Sequence, residues 1–241
     1  MSDIYEFPRE WYSFLKISFP LRSTSQVSPR PWSGGNSVYG PHAQLFLPKL
    51  TVAQIVGDGW QERSAFFSRL GGQAGLLRMS DPARVAPQFN TSVAQSLQPW
   101  SDGSTFNDGS QWQSGLVPPT AFVAAATSRG SLALQLGGLM ASTSRVLRRG
   151  DLIEIRPNGM PAMFPHLYEV MVNGSTDATG KTGVEIRPRL RADIAAGDMA
   201  VLAWPTSVFR LIDDSQGDIE LDAPNFANHG FSLVEALDQV P

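Results

Sequence analysis

The sequence predicts a mainly β protein with one good helix. Three observations carry that expectation. Apolar and polar residues alternate with a period of two in many short segments along the chain. One stretch, 58–72, spaces its apolar residues most clearly as a helix would. The 22 Gly and 18 Pro are scattered between the apolar segments, as turn residues are in an all-β fold.

The elements follow in chain order. "WYSFLKISF" (11–19) reads as a half-buried strand with Trp11, Leu15, Ile17 and Phe19 on one face. "SPRPWSGGNSVYGP" (28–41) is a loop by its Pro and Gly. "AQLFLPKLTVAQIV" (43–56) is extended, and Pro48 makes its middle an edge or a break. "DGWQERSAFFSRLGG" (58–72) is the helix: Asp58 caps it, Phe66, Phe67 and Leu70 form its apolar face, and Gly71-Gly72 ends it. "AGLLRMS" (74–80) returns as a strand. The stretch 98–119 is polar and Gly-rich, with Asp-Gly at 102–103 and 108–109, a hairpin signal that carries Trp100 and Trp112. Strands are expected in 120–127, 131–139, 151–157, 166–174, 183–190, 198–205 and 207–213. Glu-Ile-Arg-Pro occurs at 154–157 and again at 185–188, marking two strands that each end at Pro. "FSLVEAL" (231–237) reads as a short packed helix through Phe231, Leu233, Val234 and Leu237.

Composition narrows the function classes. The 241 residues suit one large β domain or two small ones. Charged residues make up 17%, below the usual quarter, which suits a subunit covered by neighbours. Without Cys there are no disulfides and no thiolate metal sites. The start shows no basic and apolar leader, and no apolar run approaches the roughly 20 residues of a membrane helix. A soluble protein made in a reducing cytoplasm is expected. A formal net charge of −3 argues against a general nucleic-acid binder.

Several near-motifs lack the context their chemistry needs. "RRGDLIEIRPNG" (148–159) contains Arg149-Gly150-Asp151, an adhesion tripeptide, but the same residues read better as a turn into a strand. In "NGSTDATGKTG" (173–183) five residues separate Gly174 from Gly180-Lys181-Thr182, where a phosphate loop needs four, and a strand follows where a helix is required. "GGQAG" (71–75) follows a helix and precedes a strand, the reverse of a dinucleotide fingerprint. "GNSVYG" (35–40) is one residue too long for a nucleophile elbow. His42, His166 and His229 are far apart and read as packed or surface side chains. Asp213-Asp214 reads as a turn rather than a metal site or acid pair. "SDGSTFNDGS" places Phe106 where a calcium ligand should stand. No catalytic residue, metal or cofactor is expected.

The charge is unevenly placed. From residue 211 onward there are seven acids and no base, so this segment carries −7; the remaining 19 bases and 15 acids give +4. Basic residues gather in "SRVLRRG" (144–150) and "RPRLRA" (187–192).

Pieces of the chain resemble distal tail proteins of long-tailed, siphovirus-type bacteriophages and gene transfer particles. They are the aromatic first strand, "GWQERSAFFSRLGGQAGLLRM" (59–79), "SRVLRRGDLIEI", "LYEVMVNGSTDATGKTGVEIRPRLR" and "GDMAVLAWPTSVFRL". The resemblance spans about two thirds of the chain and leaves 81–145 unmatched. It implies a tail-tube-like β-sandwich with a flanking helix and an inserted small, OB-like β-barrel. The ring-forming domain would be 1–95 plus 204–241, and the inserted barrel 96–203. It further implies a virion protein at the tail tip: a ring, typically a hexamer, that joins the tail tube protein to the hub and baseplate and leaves a channel for DNA without binding it specifically. If so, Asp213, Asp214, Asp218, Glu220 and Asp222 are candidates for channel-lining or inter-subunit acids. Arg145, Arg148, Arg149, Arg187, Arg189 and Arg191 are their candidate basic partners. Alternatives are another tail subunit, tube or hub, a carbohydrate-binding β-sandwich using Trp100, Trp112 and Trp204, and, weakest, a hydrolase.

Overall fold

The computed structural model describes residues 3–23, 26–27, 38–39, 44–52, 55–56, 59–87, 95–98, 112–116, 120–157, 165–217, 220–222 and 226–236. Side chains are described for these, apart from Thr120, Gly217 and the short strands Gln26–Val27, Val38–Tyr39, Ile55–Val56, Gln95–Gln98, Trp112–Leu116, Glu220–Asp222 and Phe226–Asn228. The fold class is the one the alternation predicts: mainly β, with one α-helix among the described residues. The chain divides into two compact units. One comprises Met1–Ala83, Pro161–Pro165 and Thr206–Pro241, the other Arg84–Met160 and His166–Pro205.

The first unit is built on a six-stranded sheet. Its order is Ile4–Glu6, Leu76–Ser80, Thr206–Leu211, Gly230–Glu235, Lys49–Val52, Phe14–Ser18. Ile4–Glu6 runs parallel to Leu76–Ser80, and every other neighbouring pair is antiparallel. One face buries Phe209, Phe231, Leu50, Leu77 and Met79. The helix Gly59–Leu70 contributes Phe67 and Leu70 to the same interior, with the Phe67 ring 5.2 Å from that of Phe231 and 4.7 Å from that of His229. Phe7 fills the space beneath and meets Trp11, Tyr12, Phe14, Phe66 and Phe231 at ring distances of 5.7–6.1 Å. Three of these pairs are edge-to-face, with Trp11, Tyr12 and Phe66, and such pairs add about 0.5–1.5 kcal/mol each beyond simple burial. The helix stops where the sequence says. Gly71 takes the left-handed conformation at φ 74°, and its N–H reaches the Phe67 carbonyl at 3.3 Å. At Pro48 the extended stretch breaks into Gln44–Phe46 and Lys49–Val52.

Two expectations in this unit are corrected. "FSLVEAL" is not a helix: Gly230–Glu235 is a strand in the middle of the sheet, between Thr206–Leu211 and Lys49–Val52. Phe231, Leu233 and Glu235 point inward, so the period is two, and two waiting strand edges outweigh a short segment's helical preference. The stretch 11–19 is not half-buried either. Trp11 closes a 3-10 turn, Arg9–Trp11, and the strand is Phe14–Ser18 with Leu15 65% and Ile17 37% exposed. A register shift between Phe14 and Lys16 breaks the alternation expected from Trp11 onward.

The second unit is a closed antiparallel barrel. Around it run Thr120–Val123, Ala133–Gly137, Thr182–Arg187, His166–Val170, Leu152–Arg156 and Met199–Val201, which returns to the first strand. Val123, Leu134, Leu136, Ile153, Ile155, Val170, Val184 and Ile186 pack in its interior. Each alternates with an outward neighbour, as closure requires, and burying each contributes about 1.5–3 kcal/mol. The OB-like expectation needs adjusting in strand number: the barrel has six strands where an OB barrel has five. The extra one, Met199–Val201, bonds to both Thr120–Val123 and Leu152–Arg156 and closes the gap between them. Both Glu-Ile-Arg-Pro copies are strands that end at Pro, as the sequence reading has them.

Candidate functional site

The acidic segment after 211 splits into parts with different environments. Asp213 and Asp214 are exposed, in the turn that follows the Thr206–Leu211 strand. Asp213 accepts the Ser215 amide at 2.9 Å; that bond and the Ser215 hydroxyl hold its carboxyl below the usual range. Asp214 Oδ1 accepts the Gln73 amide at 2.8 Å and lies so close to Gly72 that a Cβ there would sit 2.3 Å from it. Gln73 Nε2 in turn donates to the Ile212 carbonyl at 2.6 Å. The turn is anchored from below, where His229 Nε2 donates to the Gln216 carbonyl at 2.8 Å and Gln216 Oε1 accepts the Ser232 amide at 2.8 Å. Asp213 and Asp214 therefore shape a rigid turn while staying exposed. Glu220 and Asp222 lie in a strand paired with Phe226–Asn228; Asp218 lies outside the described residues. Glu235 is not part of an acidic surface at all. Its buried carboxylate accepts the Ser207 hydroxyl at 2.7 Å and the Phe46 amide at 3.1 Å.

The basic candidates all belong to the barrel unit, and both groups flank one strand, His166–Val170. Arg149 Nε donates to the Met171 carbonyl at 3.2 Å, and the Met171 amide donates to the Glu185 carbonyl at 2.8 Å. Glu185 faces Arg187 across 3.7 Å, and the Arg187 backbone pairs with Glu169. Arg145 and Arg149 are exposed; Arg145 has φ 53°, in the left-handed region. Arg148 is half-buried, and its amide donates to Asp151 Oδ2 at 2.7 Å. Arg189 donates to the Gly130 carbonyl at 2.9 Å, and the Arg191 guanidinium lies 5.9 Å over the Tyr168 ring. Arg149, Arg189 and Arg191 are thus engaged by the barrel's own carbonyls and ring, while Arg145 and Arg149 stay exposed.

The near-motifs resolve into turns. Asp151 of the Arg-Gly-Asp tripeptide is buried with its carboxylate on the Arg148 amide, and Gly150 sits at φ 91°, a value that favours glycine. In the phosphate-loop look-alike, Asp177 Oδ1 accepts the Thr179 amide at 2.7 Å, the Thr179 hydroxyl at 2.7 Å and the Lys181 amide at 3.0 Å. The Lys181 amide is the largest cause of its lowered pKa. The amides a phosphate would need are occupied, and Thr182 opens a strand. Trp204 is half-buried, with φ 53° and its amide on the Val85 carbonyl at 2.6 Å. Trp100 and the side chain of Trp112 lie outside the described residues.

The sequence reading missed one buried polar cluster. His166 is 1% exposed inside the barrel unit, and its Nε2 has no hydrogen-bond partner among the described residues. Its Nδ1 lies 3.4 Å from the Tyr168 hydroxyl, which also accepts the Arg191 amide at 3.1 Å. Burial first, and the Arg191 charge second, push the His166 imidazole down to about 4. The strand's alternation was the available signal: His166, Tyr168 and Val170 share a face. Among the described residues, no group of three or more His, Asp or Glu is placed to hold a metal ion. No helix of the described residues is long and apolar enough to cross a membrane.

No protein-family model matches the chain, and no curated protein matches it.

Proposed function

We propose that the protein is a structural subunit of a phage-type tail tip: a homo-oligomeric ring, six-fold by the resemblance, that caps the tail tube, docks the hub and baseplate proteins and leaves a channel for DNA. The reading begins from the sequence resemblance to distal tail proteins. The observation that carries it furthest is the two-unit architecture. An open six-stranded sheet with a flanking helix is formed from both ends of the chain, and a closed barrel is formed from its middle. The function is mechanical, with no catalysis and no cofactor, and its place is the virion, after synthesis in the host cytoplasm. DNA passes without specific contacts. The exposed Asp213 and Asp214, with Asp218, Glu220 and Asp222, face the DNA path or the basic segments 145–149 and 187–191 of a neighbour.

Mass measurement of the purified protein, with imaging of the particles that contain it, tests this reading. The expected result is a closed ring with a central hole. A chain that is monomeric in solution and also monomeric in the particle would overturn it.

A further inference from the structure

Among the described residues, each outer strand of the six-stranded sheet is paired on one side only. Phe14–Ser18 bonds to Lys49–Val52 on one side, and Ile4–Glu6 to Leu76–Ser80 on one side. Among the described residues neither has a strand on its other side. Leu15, Lys16, Ile17 and Ser18 are all exposed, so this edge shows solvent both its faces. Exposed apolar edge strands are templates for pairing with another chain, and proteins that stay monomeric cover or shorten them.

The topology says how two copies would meet. Following the pairings across the sheet, one parallel and four antiparallel, brings the two outer strands out in the same direction. The same pairings keep track of faces. Lys16 lies opposite Thr51, and Ser18 opposite Lys49 and then Ser232. Val234 is on the face of Ser232 and lies opposite Arg210; Val208 is on that face too and lies opposite Arg78, which lies opposite Glu6. Lys16 and Glu6 therefore share one face at opposite edges, both exposed. A head-to-tail junction sets the Lys16 ammonium of one copy beside the Glu6 carboxylate of the next. Two Phe14–Ser18 edges meeting symmetrically would instead bring lysine towards lysine, which disfavours that pairing.

We propose that the occupant of the Phe14–Ser18 edge is the Ile4–Glu6 edge of a second copy of this chain, joined in parallel so that the sheet runs on from subunit to subunit. The junction is heterologous, and repeated it closes into a ring when the rotation permits. The inference rests on the ring reading above and adds the strands that make the contact and their direction.

The chain has no cysteine, so introduced thiols report only their own contacts. Two double variants, Glu6→Cys with Lys16→Cys and Glu6→Cys with Ser18→Cys, span the two same-face registers. Under mild oxidation of the full-length protein or of assembled particles, at least one of them is expected to give a ladder of covalent oligomers, with no ladder from any single variant. Leu15→Asp, at an exposed position, is expected to raise the dissociation constant of the oligomer about tenfold or more without moving the unfolding midpoint of the monomer. A covalent dimer from Lys16→Cys alone, no ladder from either pair, or an oligomer indifferent to Leu15→Asp would overturn the proposal. The two readings fail separately. Closed rings imaged without a ladder sink the edge junction and spare the tail-tip function; a ladder from open filaments does the reverse.

Discussion

His166 shows how one residue couples burial to pH. Above pH 6.5 its ring is neutral whether the chain is folded or unfolded. Below that value the unfolded chain takes up a proton, while the buried ring resists until about pH 4. A folded pKa below the unfolded one means stability present above the unfolded pKa and lost as pH falls towards the folded one. Between its ordinary 6.5 and about 4, this side chain removes on the order of 3 kcal/mol of barrel stability. Denaturant unfolding of wild type and His166→Phe at pH 7 and pH 4 measures it: the variant is expected to lose distinctly less stability on acidification. An equal loss in both would show that the imidazole is not what titrates. The cause is local, because desolvation acts first and the charge of Arg191 adds to it.

Elements are decided by what their ends and edges meet. The Asp177–Lys181 connection is held by one carboxylate accepting three bonds and by Gly180 at φ 74°, where a Cβ would come within 2.2 Å of the Leu139 carbonyl oxygen. Lys181 is exposed. Lys181→Ala is therefore expected to leave stability within about 0.5 kcal/mol of wild type. Gly180→Ala meets both the left-handed backbone and the backbone oxygen, and is expected to cost about 1–3 kcal/mol. Thermal unfolding of the two variants decides it. Equal melting temperatures would contradict the turn as described, and ATP binding abolished by Lys181→Ala would restore a nucleotide role. The same principle explains the Gly230–Glu235 strand, whose helical reading gave way to the two edges on either side.

For the whole molecule, the segregation of charge is the feature through which the proposed tail-tip function can be tested. Of the seven acids beyond 211, Glu235 is buried and bonded inside the sheet unit, so it is not part of the exposed acidic surface. If the proposed tail-tip function holds, charge reversal of Asp218, Glu220 and Asp222 together to Lys is expected to slow DNA ejection or weaken the ring, with a changed response to salt. An acidic or neutral wall lets a polyanion slide, whereas a basic one holds it by releasing counterions. Normal assembly, normal ejection and unchanged salt sensitivity in that triple variant would reduce these residues to solvated surface.

Period-two alternation was enough to read the barrel strands, because a closed barrel sorts every residue in or out: Ile153 and Ile155 both lie in its core. The helix was legible from its apolar spacing and its terminal glycines, since both act within a few residues. Turn chemistry likewise exposed the false motifs at 149–151 and 173–183 before any partner was known. Long-range pairing was not legible. That Phe14–Ser18 comes last in the sheet among the described residues depends on which strand lies next to it, and its partner, Lys49–Val52, is over thirty residues away in the chain. That His166 is sealed in while Asp213 is not, and that Glu235 finds Ser207 and Phe46, follow from contacts between distant segments. Hydrophobic pattern reports which way a side chain would like to point. Only the packed neighbours set what it meets, and so its burial and its pKa.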